Sequence, residues 1–83
     1  MPKIKDRDGD TWTKLSSNGY DKWVNDGFTS VEVVVITGEI YYKIYLNMHG
    51  KTIVSYTVAT KERAMELAKM IMRGYPDIIP VNT

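Results

Sequence analysis

Apolar and polar residues alternate most clearly in the middle of the chain. Between residues 40 and 47 the even positions are all apolar, whereas the odd positions include Lys43 and Asn47. A period of two is typical of a strand with one buried face. The segments 31–36, 40–47 and 52–58 are rich in β-branched and aromatic residues and are separated by turn residues, so they predict three consecutive strands.

The first turn between these strands predicts their register. A two-residue loop at residues 37–38 sets Val35 opposite Ile40 and Glu32 opposite Lys43. The second of these is a favourable cross-strand pair of opposite charges. We therefore expect the apolar positions of both strands to share one face.

The second turn allows two loop lengths. A three-residue loop at residues 48–50, with Gly50 left-handed, sets Leu46 opposite Thr52 and keeps the apolar positions on one face. A two-residue loop at His49 and Gly50 would mix the faces, which a half-buried sheet disfavours. With the longer loop, the predicted buried face consists of Val31, Val33, Val35, Ile40, Tyr42, Ile44, Leu46, Val54, Tyr56 and Val58.

A helix over residues 61–73 is predicted to cover that face. Thr60 is a suitable N-cap, and Glu62 lies in the first turn, where the helix dipole favours an acid. Gly74 stands where a left-handed residue would end the helix, and Pro76 prevents its resumption. Apolar residues recur at helical spacing at Ala64, Leu67, Ala68 and Ile71.

The N-terminal third predicts a short hairpin. After a polar segment at residues 1–10, two strand candidates at 12–15 and 20–24 flank an Asn-Gly pair that suits a two-residue loop. The tail at residues 74–83 is expected to add a short strand or to lie on the surface. Residues 1–83 thus predict a single small α+β domain: an antiparallel β-meander of three main strands plus this hairpin within residues 11–58, with one C-terminal helix packed on one face.

Composition narrows the function. The 83 residues include no cysteine, so disulfides and thiolate metal sites are excluded. The formal net charge is +1, whereas nucleic-acid binders usually carry a clear basic excess. There is no run of about 18 apolar residues and no apolar N-terminal stretch. We expect a cytoplasmic protein with no membrane association.

Catalytic chemistry is not indicated. His49 is the only histidine, and it falls in a predicted hairpin loop with no neighbour that would orient it as a base. The sequence contains no phosphate-binding glycine loop and no nucleophile elbow. We expect a protein that is not an enzyme and that needs no cofactor.

An acidic cluster at Asp6, Asp8 and Asp10 has two interpretations. Its alternating carboxylates are similar to the start of a calcium loop, but the sixth and twelfth positions hold Thr11 and Ser17 instead of glycine and glutamate. The other interpretation is an Asp-Gly turn that leads into the next strand. We expect no metal here, although the sequence leaves a weak cation site open.

The predicted binding site is the odd face of the sheet, which points away from the helix. Its members combine tyrosines with lysines, and tyrosine is enriched at recognition surfaces. The alternative is that the N-terminal hairpin folds over this face and makes it a second small core. The residues predicted to contact a partner are Tyr41, Lys43, Tyr45, Lys51 and Ile53.

Two resemblances bear on the partner. The opening Asp6-Arg7-Asp8-Gly9-Asp10-x-Trp12 resembles the start of many short bacteriophage and prophage proteins. That resemblance implies an accessory protein that binds and modulates a host or defence protein. The segment from Tyr41-Tyr42-Lys43-Ile44 to the helix start at Ala59-Thr60-Lys61-Glu62-Arg63-Ala64 resembles the N-terminal arm-type DNA-binding domain of tyrosine recombinases. This second resemblance implies a three-stranded sheet in the major groove.

The leading hypothesis is therefore a non-enzymatic phage-type accessory protein that binds and inhibits or redirects a host or defence protein through its sheet face. The alternative is a DNA-binding module that uses the same face and whose affinity falls steeply with salt. An exposed edge strand would also allow a homodimer by sheet extension, so monomer and homodimer both remain open.

Overall fold

The computed structural model describes residues 3–75, which form one antiparallel sheet and one helix. The strands follow each other in space as they do in sequence. Among these residues, no helix is both long enough and apolar enough to cross a membrane. The elements are β1 (Ile4–Lys5), β2 (Thr11–Ser17), β3 (Tyr20–Asn25), β4 (Val31–Thr37), β5 (Tyr42–Met48), β6 (Lys51–Val58) and α1 (Lys61–Gly74).

The α+β class and the C-terminal helix are confirmed, but the sheet has six strands rather than three plus a separate hairpin. The hairpin of β2 and β3 turns at residues 18–19 as predicted, with Gly19 at φ 85°. Its second strand then pairs with β4 along its length, with Trp23 opposite Val33. The hairpin therefore extends the sheet in its own plane, because the backbone of β3 pairs with the edge of β4 that β5 does not occupy.

The helix closes the core on one side of the sheet. Thr60 caps it as predicted, since its hydroxyl accepts a hydrogen bond from Arg63 N at 3.2 Å. Gly74 is the last helical residue rather than a left-handed cap, and the chain leaves the helix at Tyr75 in an extended conformation. The predicted tail strand lies outside the described residues. The core is formed by Trp12, Trp23, Val31, Val33, Val35, Ile44, Leu46, Val54, Ala64, Ala68, Ile71, Met72 and Tyr75.

The predicted register of β4 and β5 is wrong by four residues, because Val35 lies opposite Ile44 instead of Ile40. The loop takes four residues, 38–41, closed by a hydrogen bond from Gly38 N to the Tyr41 carbonyl oxygen at 2.9 Å. The loop is also centred two residues further along the chain than predicted, and this even shift changes the partners of the apolar positions but keeps them on the same face. Val35 consequently lies opposite Ile44, and Ile40 is 83% exposed in the loop.

The β5–β6 turn also differs from the prediction. Met48 pairs with Lys51, so the loop is the two-residue one, and both of its residues have positive φ: 53° at His49 and 81° at Gly50. A register shift between Leu46 and Asn47 then restores the match of apolar faces, as an inserted bulge residue does. The predicted mixing of faces is avoided by this bulge rather than by a longer loop.

Most of the predicted buried face is confirmed. Val31, Val33 and Val35 of β4, together with Ile44, Leu46 and Val54, are buried. Tyr42 and Val58 pack against the core while half-exposed. Tyr56, predicted to be buried, is 44% exposed on the outermost strand.

Candidate functional site

The face of the sheet opposite the helix is the candidate site, and we call it the open face. Residues paired across neighbouring strands share a side, which places Leu15, Lys22, Val34 and Tyr45 in one row across β2 to β5. No element among residues 3–75 is packed on this row. The open face comprises Leu15, Tyr20, Lys22, Glu32, Val34, Ile36, Lys43, Tyr45 and Asn47.

The alternative in which the N-terminal hairpin covers this face is wrong. The two tryptophans of the hairpin, Trp12 and Trp23, point to the helix side and are buried in the core. Tyr20 remains on the open face, opposite Ile36. The hairpin widens the open face instead of covering it, because β3 pairs edge to edge with β4 in the plane of the sheet.

One end of the open face carries an apolar patch. Leu15 is 50% exposed, and Tyr20, Ile36 and Tyr41 are each close to 40% exposed. This end is set by the two turns at residues 18–19 and 38–41, which are joined where Thr37 N donates to the Gly19 carbonyl oxygen at 2.9 Å. We call these four residues the apolar patch; contiguous exposed apolar surface of this kind is typical of contact surfaces.

Charges on the open face are few and partly paired. Lys22 Nζ lies 3.6 Å from a Glu32 carboxylate oxygen, and the same carboxylate accepts a hydrogen bond from Asn47 Nδ2 at 3.2 Å. Lys43 Nζ lies 5.5 Å from the centroid of the Tyr41 ring, within cation–π range. The predicted pairing of Glu32 with Lys43 is wrong, because the four-residue loop sets Lys43 opposite Ile36.

The structure separates the five predicted site residues. Lys43 and Tyr45 lie on β5 and point to the open face, and Tyr41 lies beside Lys43 in the loop at its edge. Ile53 packs against the core instead, and Lys51 pairs with Met48, whose side chain also contacts the core. The bulge is the cause, since it turns β6 out of the strict alternation assumed from sequence.

Sequence reasoning missed three members of the apolar patch. Leu15, Tyr20 and Ile36 are as exposed as the predicted tyrosine, and they lie on the neighbouring strands β2, β3 and β4. The signal was present in the alternation of β4, where Ile36 is out of phase with Val31, Val33 and Val35, the valines predicted to be buried. This alternation alone does not predict a patch, because the patch forms only when β3 pairs with β4.

The acidic cluster forms a structural turn around Asp6. One carboxylate oxygen, Oδ1, accepts hydrogen bonds from Asp8 N at 2.9 Å and Asp10 N at 3.0 Å, and Oδ2 accepts one from Asn25 Nδ2 at 3.1 Å. Asn25 is buried, and its own oxygen accepts from Gly27 N at 2.8 Å. Within residues 3–75, no group of three acidic, histidine or cysteine side chains is arranged to hold a metal ion.

Electrostatics at this turn oppose ionisation. Partial desolvation, with added repulsion from Asp6, Asp26 and Asp8, raises the pKa of Asp10 above its usual value of 3.8. Burial, with added repulsion from Asp6, Asp10 and Asp8, raises the pKa of the Tyr75 phenol above its usual value of 10.0. A β-carbon at Gly27 would collide with the Asp10 carboxylate, so this part of the turn is closely packed.

His49 joins two turns at the same end of the sheet as this cluster. Its Nδ1 lies 2.8 Å from Ser30 Oγ, and its backbone N donates to the Ser30 carbonyl oxygen at 2.9 Å. The left-handed conformation of His49 is tolerated at hairpin turns of this type. These contacts give His49 a role in positioning the β5–β6 turn.

Comparison with protein-family models, with curated proteins and with solved structures gives no match to this chain.

Proposed function

We propose that this protein is a non-enzymatic accessory protein of the phage type that binds a protein partner through its open face and so modulates or inhibits a host or defence protein. The observation that supports the proposal is the apolar patch, which carries exposed leucine, isoleucine and tyrosine side chains on a hydrogen-bonded sheet. A rigid sheet lowers the entropy that binding costs, because its side chains are already placed.

The chemistry of the patch favours a protein surface. Tyr20 and Tyr41 offer large contact area with few rotatable bonds, and Leu15 and Ile36 extend it with aliphatic surface. Lys43 at the border adds one cation. The matching partner presents an apolar cluster with an acidic side chain beside it.

The alternative of DNA binding through the same face has weaker electrostatic support. Lys22 forms an ion pair with Glu32 at 3.6 Å, and Lys43 is the cation at the border of the patch. Phosphate contacts supply most of the affinity of sequence-tolerant DNA binding. Lys43→Gln therefore separates the two hypotheses: it should weaken DNA binding through this face more strongly than it weakens a protein complex.

The test is quantitative capture of bacterial lysate proteins on tagged wild-type protein and two variants, with and without nuclease. The double variant Tyr20→Ala, Ile36→Ala removes half of the apolar patch. The control Met70→Ala removes a more exposed apolar side chain from the helix, since Met70 is 57% exposed. Urea unfolding of each variant is measured in parallel.

The proposal predicts stoichiometric capture of a protein partner that resists nuclease treatment. The Met70 variant should retain this partner, whereas the patch variant should capture at least about tenfold less of it, as expected for interface hot spots. Equal loss in both variants would contradict it. Capture that disappears with nuclease and is also lost in the patch variant would favour the DNA alternative, because nucleic acid bound elsewhere on the protein would be retained by the patch variant. Self-capture alone, with a doubled mass in solution, would show a homodimer through the sheet instead.

A further inference from the structure

A basic cleft lies on the helix side of the sheet, away from the open face. Its volume is about 290 Å³. Four cationic side chains line it: Lys3, Lys14, Lys69 and Arg73. We call this site the basic cleft, and no acidic residue is among those that line it.

The fold brings these cations together from distant parts of the sequence. Met65, Lys69 and Arg73 follow each other at four-residue intervals, so they lie along one face of the helix. Lys14 on β2 pairs with Trp23 on β3, and its Nζ lies 5.5 Å from the centroid of the indole ring. Ile4 of β1, Trp23 and Met65 supply the apolar part of the lining.

The four cations have no carboxylate partner among residues 3–75. The salt bridges in this part of the chain involve Lys22 with Glu32 and Arg63 with Glu66, at 3.6 and 3.2 Å. Like charges gathered around one small volume repel each other, and a bound anion would relieve that repulsion. This concentration is notable in a chain whose formal net charge is only +1.

We propose that the basic cleft binds a phosphate group, supplied by a nucleotide or by a single-stranded nucleic acid. Lysine ammonium groups bind phosphate as point charges, and the Arg73 guanidinium can donate two parallel hydrogen bonds to it. Ligand pockets usually measure roughly 300–1,000 Å³, so the cleft suits one phosphate-bearing unit. Trp23 is 3% exposed and forms part of the floor rather than a stacking platform.

This inference stands apart from the proposed function. The basic cleft shares no residue with the apolar patch, and the two lie on opposite sides of the sheet. A variant of one surface therefore leaves the other intact, and either proposal can fail alone.

The test measures binding of three probes at low salt: inorganic pyrophosphate, ATP in magnesium-free buffer, and a short fluorescent oligothymidylate. The double variant Lys69→Gln, Arg73→Gln is compared with the control Lys51→Gln, Lys61→Gln. Both pairs remove two positive charges, but the control lysines are exposed and lie outside the cleft. Urea unfolding confirms that both variants are folded.

The proposal predicts that the cleft variant raises the Kd at least about tenfold while the control changes it little. For the oligothymidylate, the slope of log K against log salt should fall by about 1.4, because two phosphate contacts are lost. Tighter binding of the oligothymidylate than of ATP would identify a nucleic-acid strand as the source, and comparable binding a free nucleotide. Equal weakening by both variants, or no binding of any probe, would overturn the proposal.

Discussion

The two faces of the sheet use similar residues for different purposes. On the helix side, Ile44 and Leu46 of β5 are completely buried against α1, whereas on the open face Ile36 of β4 is 39% exposed. Isoleucine at 44 stabilises the fold, while isoleucine at 36 contributes little burial and remains available for contact. What distinguishes them is position relative to the single helix, since a sheet with one covering layer has only one core face.

The largest expected effect on the free energy of unfolding comes from a matched pair of substitutions, one on each face of the sheet. Ile44→Ala should lower the free energy of unfolding by about 2–5 kcal/mol, because it removes buried methylene groups and leaves a cavity. Ile36→Ala should cost less than about 1 kcal/mol, because its side chain is already partly in water. Urea unfolding measures both, and similar losses would show that the open face is covered.

The second prediction concerns the acidic turn. Asp6→Asn keeps one oxygen to accept from the backbone but places an amide NH₂ group opposite Asn25 Nδ2. The Asn25 side chain cannot rotate to relieve this contact, because its oxygen already accepts a hydrogen bond from Gly27 N. Two facing donors in a buried site should cost about 1–3 kcal/mol. Asp8→Asn changes an exposed carboxylate in the same turn and should be nearly neutral. If Asp8→Asn costs as much as Asp6→Asn, the network has no special role.

A smaller effect is expected from Asp10 and depends on pH. Because the folded-state pKa of Asp10 is raised, its protonated form favours folding; that contribution is present below pH 3.8 and is lost as the pH rises through the folded-state pKa. Asp10→Asn should therefore raise the urea midpoint at neutral pH, and this gain should vanish below pH 3.8. Glu39→Gln, which makes the same change of charge outside the cluster, is the control. A gain that persists unchanged in acid would contradict this origin.

The sequence predicted elements better than their assembly. The helix begins at Lys61 as expected from its N-cap and ends one residue beyond the predicted 61–73. The registers failed because they depend on turn length and on a bulge near Leu46, and neither leaves a strong local signal. Such features are settled by the fit of two faces that meet only after folding.

The candidate site shows the same limit. Lys43 and Tyr45 could be placed on the open face from alternation alone, because β5 is regular. Ile53 could not, since the bulge turns it toward the core. The position of Tyr20 on the open face could not be predicted from sequence, because it depends on the pairing of β3 with β4.

The central claim is that the open face is accessible in the free protein and covered in the complex. The chain has no cysteine, so Ile36→Cys introduces a single thiol whose rate of reaction with a soluble maleimide reports its exposure. We predict rapid labelling in the free protein and strong protection once the captured partner is bound. A Met70→Cys control on the helix should label rapidly in both states. Slow labelling of Cys at 36 in the free, folded protein, or unchanged labelling in the complex, would contradict the claim.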